Sequence, residues 1–411
     1  MKLRKVASYI YHNTWCKAVY HTKLLIYWWQ VPGKVKQIKQ KETIKVLFIV
    51  SELASWKSEL LYQKMISHPR FNPILGVSTS YAPSNVKIPL MSYLRAKDYH
   101  YIDLDLEVGS IDKINPDIIF YYKPYSNCYS KGHFFSDNLK YIFCGMDYCF
   151  EATTHAVHIF REYFDYCWQF YVENKEIAER RKKVLGYRAR NTRITGVPIQ
   201  DLLYQPREMF SDPWKDKSGK KRIIYAPHHS FKGTNGKGIE FATFLEFGEP
   251  LLDLANKYSE QITIAFKPHP NLYMKLLDIW GKEKTDNYYK AWEGLPNTQL
   301  EIGEYWGLFK YSDAIIHDSA SFIVEYLYMD NPSMYLVADT NNFGDMFGFV
   351  REGLKCYEKG RSIDDIEAFL NEVIQGGDKK KELRQQYLAN ELNLPNGMTA
   401  CDNIINSILQ D

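Results

Sequence analysis

Two series of short apolar runs, each interleaved with helical segments, limit what this chain can fold into. The run Ile44-Lys45-Val46-Leu47-Phe48-Ile49-Val50 is short, β-branched and almost wholly apolar, which reads as a strand buried on both faces. Ser51-Glu52 then opens a helix that continues through Leu60 and Met65 with apolar residues three and four apart. Residues 71–77, 99–104 and 117–122 repeat the strand signal, the last after an Asn115-Pro116 turn. A second series runs through residues 222–226, 262–266, 314–316 and 333–337. Strands alternating with helices predict an α/β fold with parallel, doubly wound sheets, whose ligands bind beyond the carboxyl ends of the strands.

At 411 residues the chain has room for two such units. Residues 204–221, polar and rich in Pro, Lys, Asp and Gly, read as a linker between a Rossmann-like domain over residues 42–203 and a second over residues 222–411. Residues 371–411 read as helical and are long enough to fold back onto the first domain. Hydrophobic residues at 45% and charged residues at 25% exclude disorder and a polytopic membrane protein. A net charge of +3, with no recognisable reader module, gives no reason to expect nucleic acid as a partner. Seven cysteines without a CxxC pair exclude a disulfide framework and a zinc ribbon, and fit a reducing cytoplasm.

Residues 1–41 form a basic leader, with nine Lys or Arg residues ahead of the first carboxylate, Glu42. Its most apolar stretch, Leu24-Leu25-Ile26-Tyr27-Trp28-Trp29, leaves about ten usable residues between lysines where a membrane span needs about twenty. A signal peptide is also excluded, because the apolar core comes late and no small-residue cleavage site follows. Trp15, Tyr20, Trp28 and Trp29 mixed with lysines suit an amphipathic helix lying at an anionic membrane surface. The alternative is a basic helix packed on the protein's own surface.

Polar clusters end three strands of the second series: Tyr225-Ala226-Pro227-His228-His229-Ser230, Phe266-Lys267-Pro268-His269-Pro270, and His317-Asp318-Ser319-Ala320-Ser321 with Glu325 in the helix that follows. In a parallel sheet these ends open onto one cleft. Lys267, His228, His229, His269 and His317 offer cations and hydrogen-bond donors to a nucleotide diphosphate, and a helix starting after Asp318 offers backbone N–H groups and the Ser319 and Ser321 hydroxyls. Singly, each has a plainer reading: Asp318 or Ser319 as a helix N-cap, a histidine as a structural residue, Pro268 and Pro270 as strand stops. Their coincidence at three strand ends favours a site. Adjacent histidines such as His228 and His229 seldom chelate one ion, so no metal is expected there. Asp103-Leu104-Asp105 matches the DxD pattern of metal-dependent glycosyltransferases, a three-residue pattern that chance produces often.

These clusters resemble the CDP-glycerol glycerophosphotransferase family, enzymes that prime and polymerise teichoic acids and related capsular polyol phosphates. Four pieces carry the likeness: Tyr225-Ala226-Pro227-His228-His229, Lys267-Pro268-His269-Pro270, His317-Asp318-Ser319-Ala320-Ser321, and Thr195-Gly196-Val197-Pro198-Ile199-Gln200-Asp201. Pro395-Asn396-Gly397-Met398-Thr399-Ala400 looks like a weakened form of the family's closing Asp-Gly-x-Ala segment. The resemblance covers roughly residues 190–405. It implies a GT-B fold, with an acceptor domain and a donor-nucleotide domain facing a cleft, and peripheral attachment to the cytoplasmic face of the membrane. It implies a CDP-polyol donor, glycerol most readily, a lipid-linked or glycan acceptor, and no cofactor. By the same likeness His269 and the Ser319/Ser321 helix start hold the donor phosphates, and Gly196 to Asp201 line the cleft.

One departure concerns the base. Family polymerases carry a His-Gly pair in the first domain, where this chain reads Phe143-Cys144-Gly145-Met146-Asp147-Tyr148. Asp147 and His155 are the candidates, since a carboxylate or imidazole within reach of the acceptor hydroxyl is what the step requires. Two rival readings stay open: a GT-B glycosyltransferase of the polysialyltransferase or capsule type, and a non-catalytic membrane-bound subunit of a polymer-synthesis complex.

Overall fold

The computed structural model describes residues 16–79, 86–106, 110–154, 161–231, 240–337 and 343–410. The chain divides into one unit of Met1–Cys149, His155–Ile199 and Leu394–Asp411, and a second of Phe150–Thr154 and Gln200–Asn393.

The first unit is built on strands β1 (Ile44–Val50), β2 (Phe71–Val77), β3 (Tyr101–Asp103), β4 (Ile118–Tyr121), β5 (Ile142–Met146), β6 (Gln169–Val172) and β7 (Thr192–Ile194), in the order β3-β2-β1-β4-β5-β6-β7. All pairings are parallel, and β1 runs in register with β2 from Ile44 opposite Phe71 to Val50 opposite Val77. The second unit carries β8 (Lys221–Ala226), β9 (Ile262–Phe266), β10 (Thr298–Leu300), β11 (Ala314–His317), β12 (Ser333–Leu336) and β13 (Glu358–Gly360), in the order β10-β9-β8-β11-β12-β13. Both sheets follow the doubly wound order, and strand order reverses beside β1 in one and beside β8 in the other. The central strands are buried along almost their whole length, as their continuous apolar runs require.

Three elements differ from the sequence reading. The first helix begins at Glu59 rather than Ser51, because Leu53–Ser55 forms a single tight turn and Trp56 is buried ahead of it. The stretch 204–221 does not mark the division between units, which falls inside the helix Pro198–Tyr204. Residues 394–411 belong to the first unit rather than to the second, so the tail expected to fold back onto the first domain does so from Leu394 on. There the Asn403 amide donates to the carbonyls of Thr195 and Pro395, and the Ser407 hydroxyl donates to Gln169.

The leader is a helix from Cys16 to Gln40. Tyr27, Val31, Val35 and Ile38, spaced three or four apart, bury one stripe of it in the first unit. Tyr27 stacks on Phe143 at 5.7 Å and its hydroxyl accepts the Phe143 N–H, while the Trp28 indole N–H donates to the Asp165 carbonyl. The other side exposes Leu25 (70%), Ile26 (52%) and Trp29 (83%). The helix is therefore packed on its own unit and apolar on its outer side as well; Trp15 lies outside the described residues. Tyr27→Ala is expected to cost roughly 3–5 kcal/mol of stability in urea unfolding, as for other buried aromatic truncations. An unchanged midpoint would show that the leader contributes nothing to the fold.

Candidate functional site

β9, β8 and β11 are neighbours in the second sheet, so the three polar clusters emerge side by side at its switch point. The His269 N–H donates to the Pro227 carbonyl and the His228 N–H to the Asp318 carboxylate at 2.5 Å, which ties the loops together. The result is a close cluster of tilted and edge-on imidazoles: His229 and His269 centroids lie 4.0 Å apart, His228 and His229 4.5 Å, and His228 and His269 4.9 Å.

Of the two roles the sequence offers, cation or hydrogen-bond donor, these histidines take the second, as neutral rings. Burial, with neighbouring positive groups, lowers His229 to about 4, His269 to about 3 and His317 to about 3, and drives His228 well below its ordinary value. Their tautomers follow from the backbone. The Nδ1 atoms of His228, His269 and His317 each accept the N–H of the residue two positions on, at 3.3, 3.1 and 3.2 Å. The proton of each neutral ring therefore sits on Nε2. The Ser230 hydroxyl, which accepts the Phe241 N–H, fixes His228 further by donating to its Nδ1 at 2.7 Å. Among the described residues, His228, His229 and His269 form the group whose ligand atoms would suit a metal ion, lying within 4.8 Å of one another. A metal on Nε2 would demand an Nδ1–H pointed at a backbone N–H in two of the three rings, so the arrangement suits an anion better than a cation.

Asp318 is wholly buried behind this cluster. Its carboxylate accepts the His228 N–H together with the Thr243 N–H and hydroxyl, at 2.7 and 2.9 Å. Burial pushes it up to about 6 against the pull of these donors. It acts as a clamp that positions the β8 loop, not as a ligand group. Thr243→Val is expected to cost about 1–3 kcal/mol in thermal unfolding, since it strips a donor from a buried carboxylate, with Thr243→Ser close to wild type. Ser319 is the N-cap of the helix Ala320–Leu327 but makes no side-chain cap; its hydroxyl lies 3.2 Å from that of Ser321. The first turn of that helix thus keeps hydroxyl and N–H donors for an incoming anion.

Two cations flank the row. Lys267 is nearly buried, with its Nζ 6.0 Å over the Tyr305 ring, and the Tyr305 hydroxyl donates to the buried Glu325 at 2.5 Å. Lys359, which the sequence reading missed, stands on β13 in register with Tyr335 and, through it, with His317. Burial lowers its amine to about 7, and it lies over the Tyr335 and Tyr357 rings at 5.4 and 5.9 Å. No motif marked it; a lone lysine in Glu358–Gly360 becomes informative only when the strand order is known.

In the first unit Asp147 directly follows β5. It is half-buried, its Oδ2 is shut off from solvent without a hydrogen-bond partner, and burial raises it to about 6 against the nearby Arg181 cation. Gly145 permits this placement: a Cβ there would lie 2.6 Å from the Cys167 sulfur and 2.9 Å from the Tyr163 hydroxyl. His155 lies outside the described residues. Gly196, at φ +72°, belongs to the first unit, and the buried Asp201 to the second. Asp103 and Asp105 are bridged by Lys87 at 2.6 and 2.9 Å, so this DxD pair already shares one amine.

A family model described as CDP-Glycerol:Poly(glycerophosphate) glycerophosphotransferase matches residues 142–408. The chain belongs to this family. The match takes in Asp147 and all three strand-end clusters. The teichoic acid glycerol-phosphate primase of Bacillus spizizenii is 23% identical over 241 residues, which are 55% of this chain and 50% of the primase. The chain therefore spans about half the length of that relative. Among solved structures, a variant of the wall teichoic acid polymerase TagF aligns with a TM-score of 0.58 at 13% identity, covering 95% of this chain and 98% of the other. The UDP-GlcNAc 2-epimerase of Neisseria meningitidis aligns at 0.53 and 14% identity, covering 89% and 99%. Such distant likenesses establish the GT-B type of fold and no more, since one architecture hosts both chemistries.

Proposed function

We propose that this chain transfers glycerol phosphate from CDP-glycerol to a lipid-linked or glycan acceptor in the synthesis of a teichoic-acid-like or capsular polymer. The observation that carries the reading is the histidine cluster, with Nε2–H on His228 and His269, beside a helix start at the switch point of the second sheet, inside the region the family model matches. An acceptor hydroxyl attacks the β-phosphorus of CDP-glycerol. The new O–P bond forms as the bond from that phosphorus to the CMP oxygen breaks, and the hydroxyl proton passes to Asp147. Charge that builds on the departing CMP phosphate is met by His269, Lys267 and the Ser319/Ser321 helix start, so positioning and preorganised donors supply the acceleration. Neutral imidazoles suit this task because they donate without binding the dianionic product too tightly to leave.

The reading includes a peripheral place at the cytoplasmic face of the membrane. It is supported by the leader, whose Leu25, Ile26 and Trp29 are exposed among lysines. No described helix is long and apolar enough to cross a bilayer.

The test is CMP release by the purified chain with membranes and EDTA, offered CDP-glycerol, CDP-ribitol and CMP-sialic acid in turn. The expected result is release from CDP-glycerol with a phosphodiester-linked product. Turnover of the sugar donor alone would move the protein to the glycosyltransferases, and silence with all three would favour a non-catalytic subunit.

A further inference from the structure

A groove of about 600 Å³ lies in the first unit between the leader helix and the segment around β7, far along the chain from the histidine cluster. Trp28 and Trp168 form much of its apolar wall, four cations, Lys36, Lys39, Arg190 and Arg193, line it, and none of its ten lining residues is acidic. Three of the four cations make contacts that position them. The Arg190 guanidinium lies 4.3 Å over the Trp28 ring, Lys39 donates to the Gln410 carbonyl at 2.9 Å, and Arg193 donates to the Arg190 carbonyl at 2.9 Å. An apolar wall with a basic rim selects an amphiphile whose polar end is anionic.

The position of the groove narrows the class further. Trp29, Leu25 and Ile26 are exposed on the same helix, and the rise from Trp29 to Lys36 is roughly 10 Å at 1.5 Å per residue. An interfacial helix lies in the plane of the membrane, so this rise is lateral, and Lys36, seven residues and about two turns after Trp29, stands on the same helix face as the inserted anchors, at headgroup level. We infer that the groove between the leader helix and β7 binds the headgroup of an anionic glycerophospholipid, with Arg190, Arg193, Lys36 and Lys39 around the phosphate and the tryptophans against the glycerol backbone and first acyl carbons. This inference rests on the membrane-face part of the proposed function, and it turns a general attraction to anionic membranes into a defined site.

The experiment titrates the full chain with dihexanoyl-phosphatidylglycerol, dihexanoyl-phosphatidylcholine and sn-glycerol 3-phosphate by calorimetry, with sedimentation on phosphatidylglycerol vesicles in parallel. Saturable binding of the anionic short-chain lipid, at least tenfold tighter than the other two ligands, is expected. Arg190→Gln with Arg193→Gln should weaken it about thirtyfold, from roughly fivefold per cation removed near a lipid surface. Lys36→Gln with Lys39→Gln, on the more open side, should act in the same direction and serves if the arginine pair fails to fold. Binding of glycerol 3-phosphate as tight as the lipid, equal binding of the zwitterionic lipid, or unweakened variants would each overturn the site. If vesicles still sediment the chain in those cases, the membrane-face reading survives without the groove; if vesicles do not bind at all, both fall.

Discussion

His269→Ala is expected to lower CMP release from CDP-glycerol by about 10²–10³-fold, the usual effect of removing one preorganised donor from a developing oxyanion. The ring is tilted against His229 and its Nδ1 is occupied by the Asn271 N–H, so only Nε2–H is left to meet a ligand. Because charge on the CMP phosphate grows as the P–O bond breaks, the loss should appear mainly in kcat, with the KM for CDP-glycerol changed much less. His269 protonates only near pH 3, so the loss should also be constant between pH 6 and 8. A defect confined to KM, or one that shrinks as the pH rises through 7 because a cationic ring is losing its proton, would sink the role of a neutral donor. His269→Asn, which keeps a side-chain N–H on a shorter arm, should recover part of the rate.

Much of this arrangement was legible in the sequence, and the reason is local. β8, β9 and β11 end at, or one residue past, the end of their apolar runs, because a strand buried on both faces cannot admit polar residues without partners. Three polar clusters following three such runs therefore predicted a site at strand ends. What the sequence could not carry depends on long-range pairing. β7, β10 and β13 are three residues each and take their identity from the neighbouring strand rather than from their own composition, so Lys359 stayed hidden. The protonation of the histidines was also beyond the sequence: residues offered as cations or hydrogen-bond donors are sorted only by a backbone N–H aimed at Nδ1 and by desolvation of the ring. Asp318 illustrates a third limit, since a carboxylate next to a helix start looks like a cap until Thr243, 75 residues away, is seen to donate to it twice.

Asp147→Asn is expected to lower the rate by about 10²–10⁴-fold, the range for loss of a general base, while leaving the fold intact. The pH dependence separates the base from a structural role. Burial raises the Asp147 carboxyl from 3.8 to about 6, so it is deprotonated and competent above that value, and the wild-type rate should climb as pH rises through about 6 and then level off. His229 is lowered to about 4 and His269 to about 3, and burial holds His228 well below its ordinary value, so none of the three produces that limb. Asp318 is also raised to about 6, so the limb is assigned to Asp147 by the variant, whose residual rate should lose it across pH 5.5–7.5. Stability should move the other way. Between 3.8 and about 6 the folded chain holds a proton at Asp147 that the unfolded chain has released, so this group makes the fold less stable as pH rises through that window, and the cost is complete above pH 6. An amide removes the buried charge, so the variant should unfold at higher urea than wild type at pH 7.5 and at nearly the same urea at pH 4. An inactive variant that is also less stable at pH 7.5 would show that Asp147 serves the packing around Arg181. An active variant that keeps the acid limb would return the search for the base to His155.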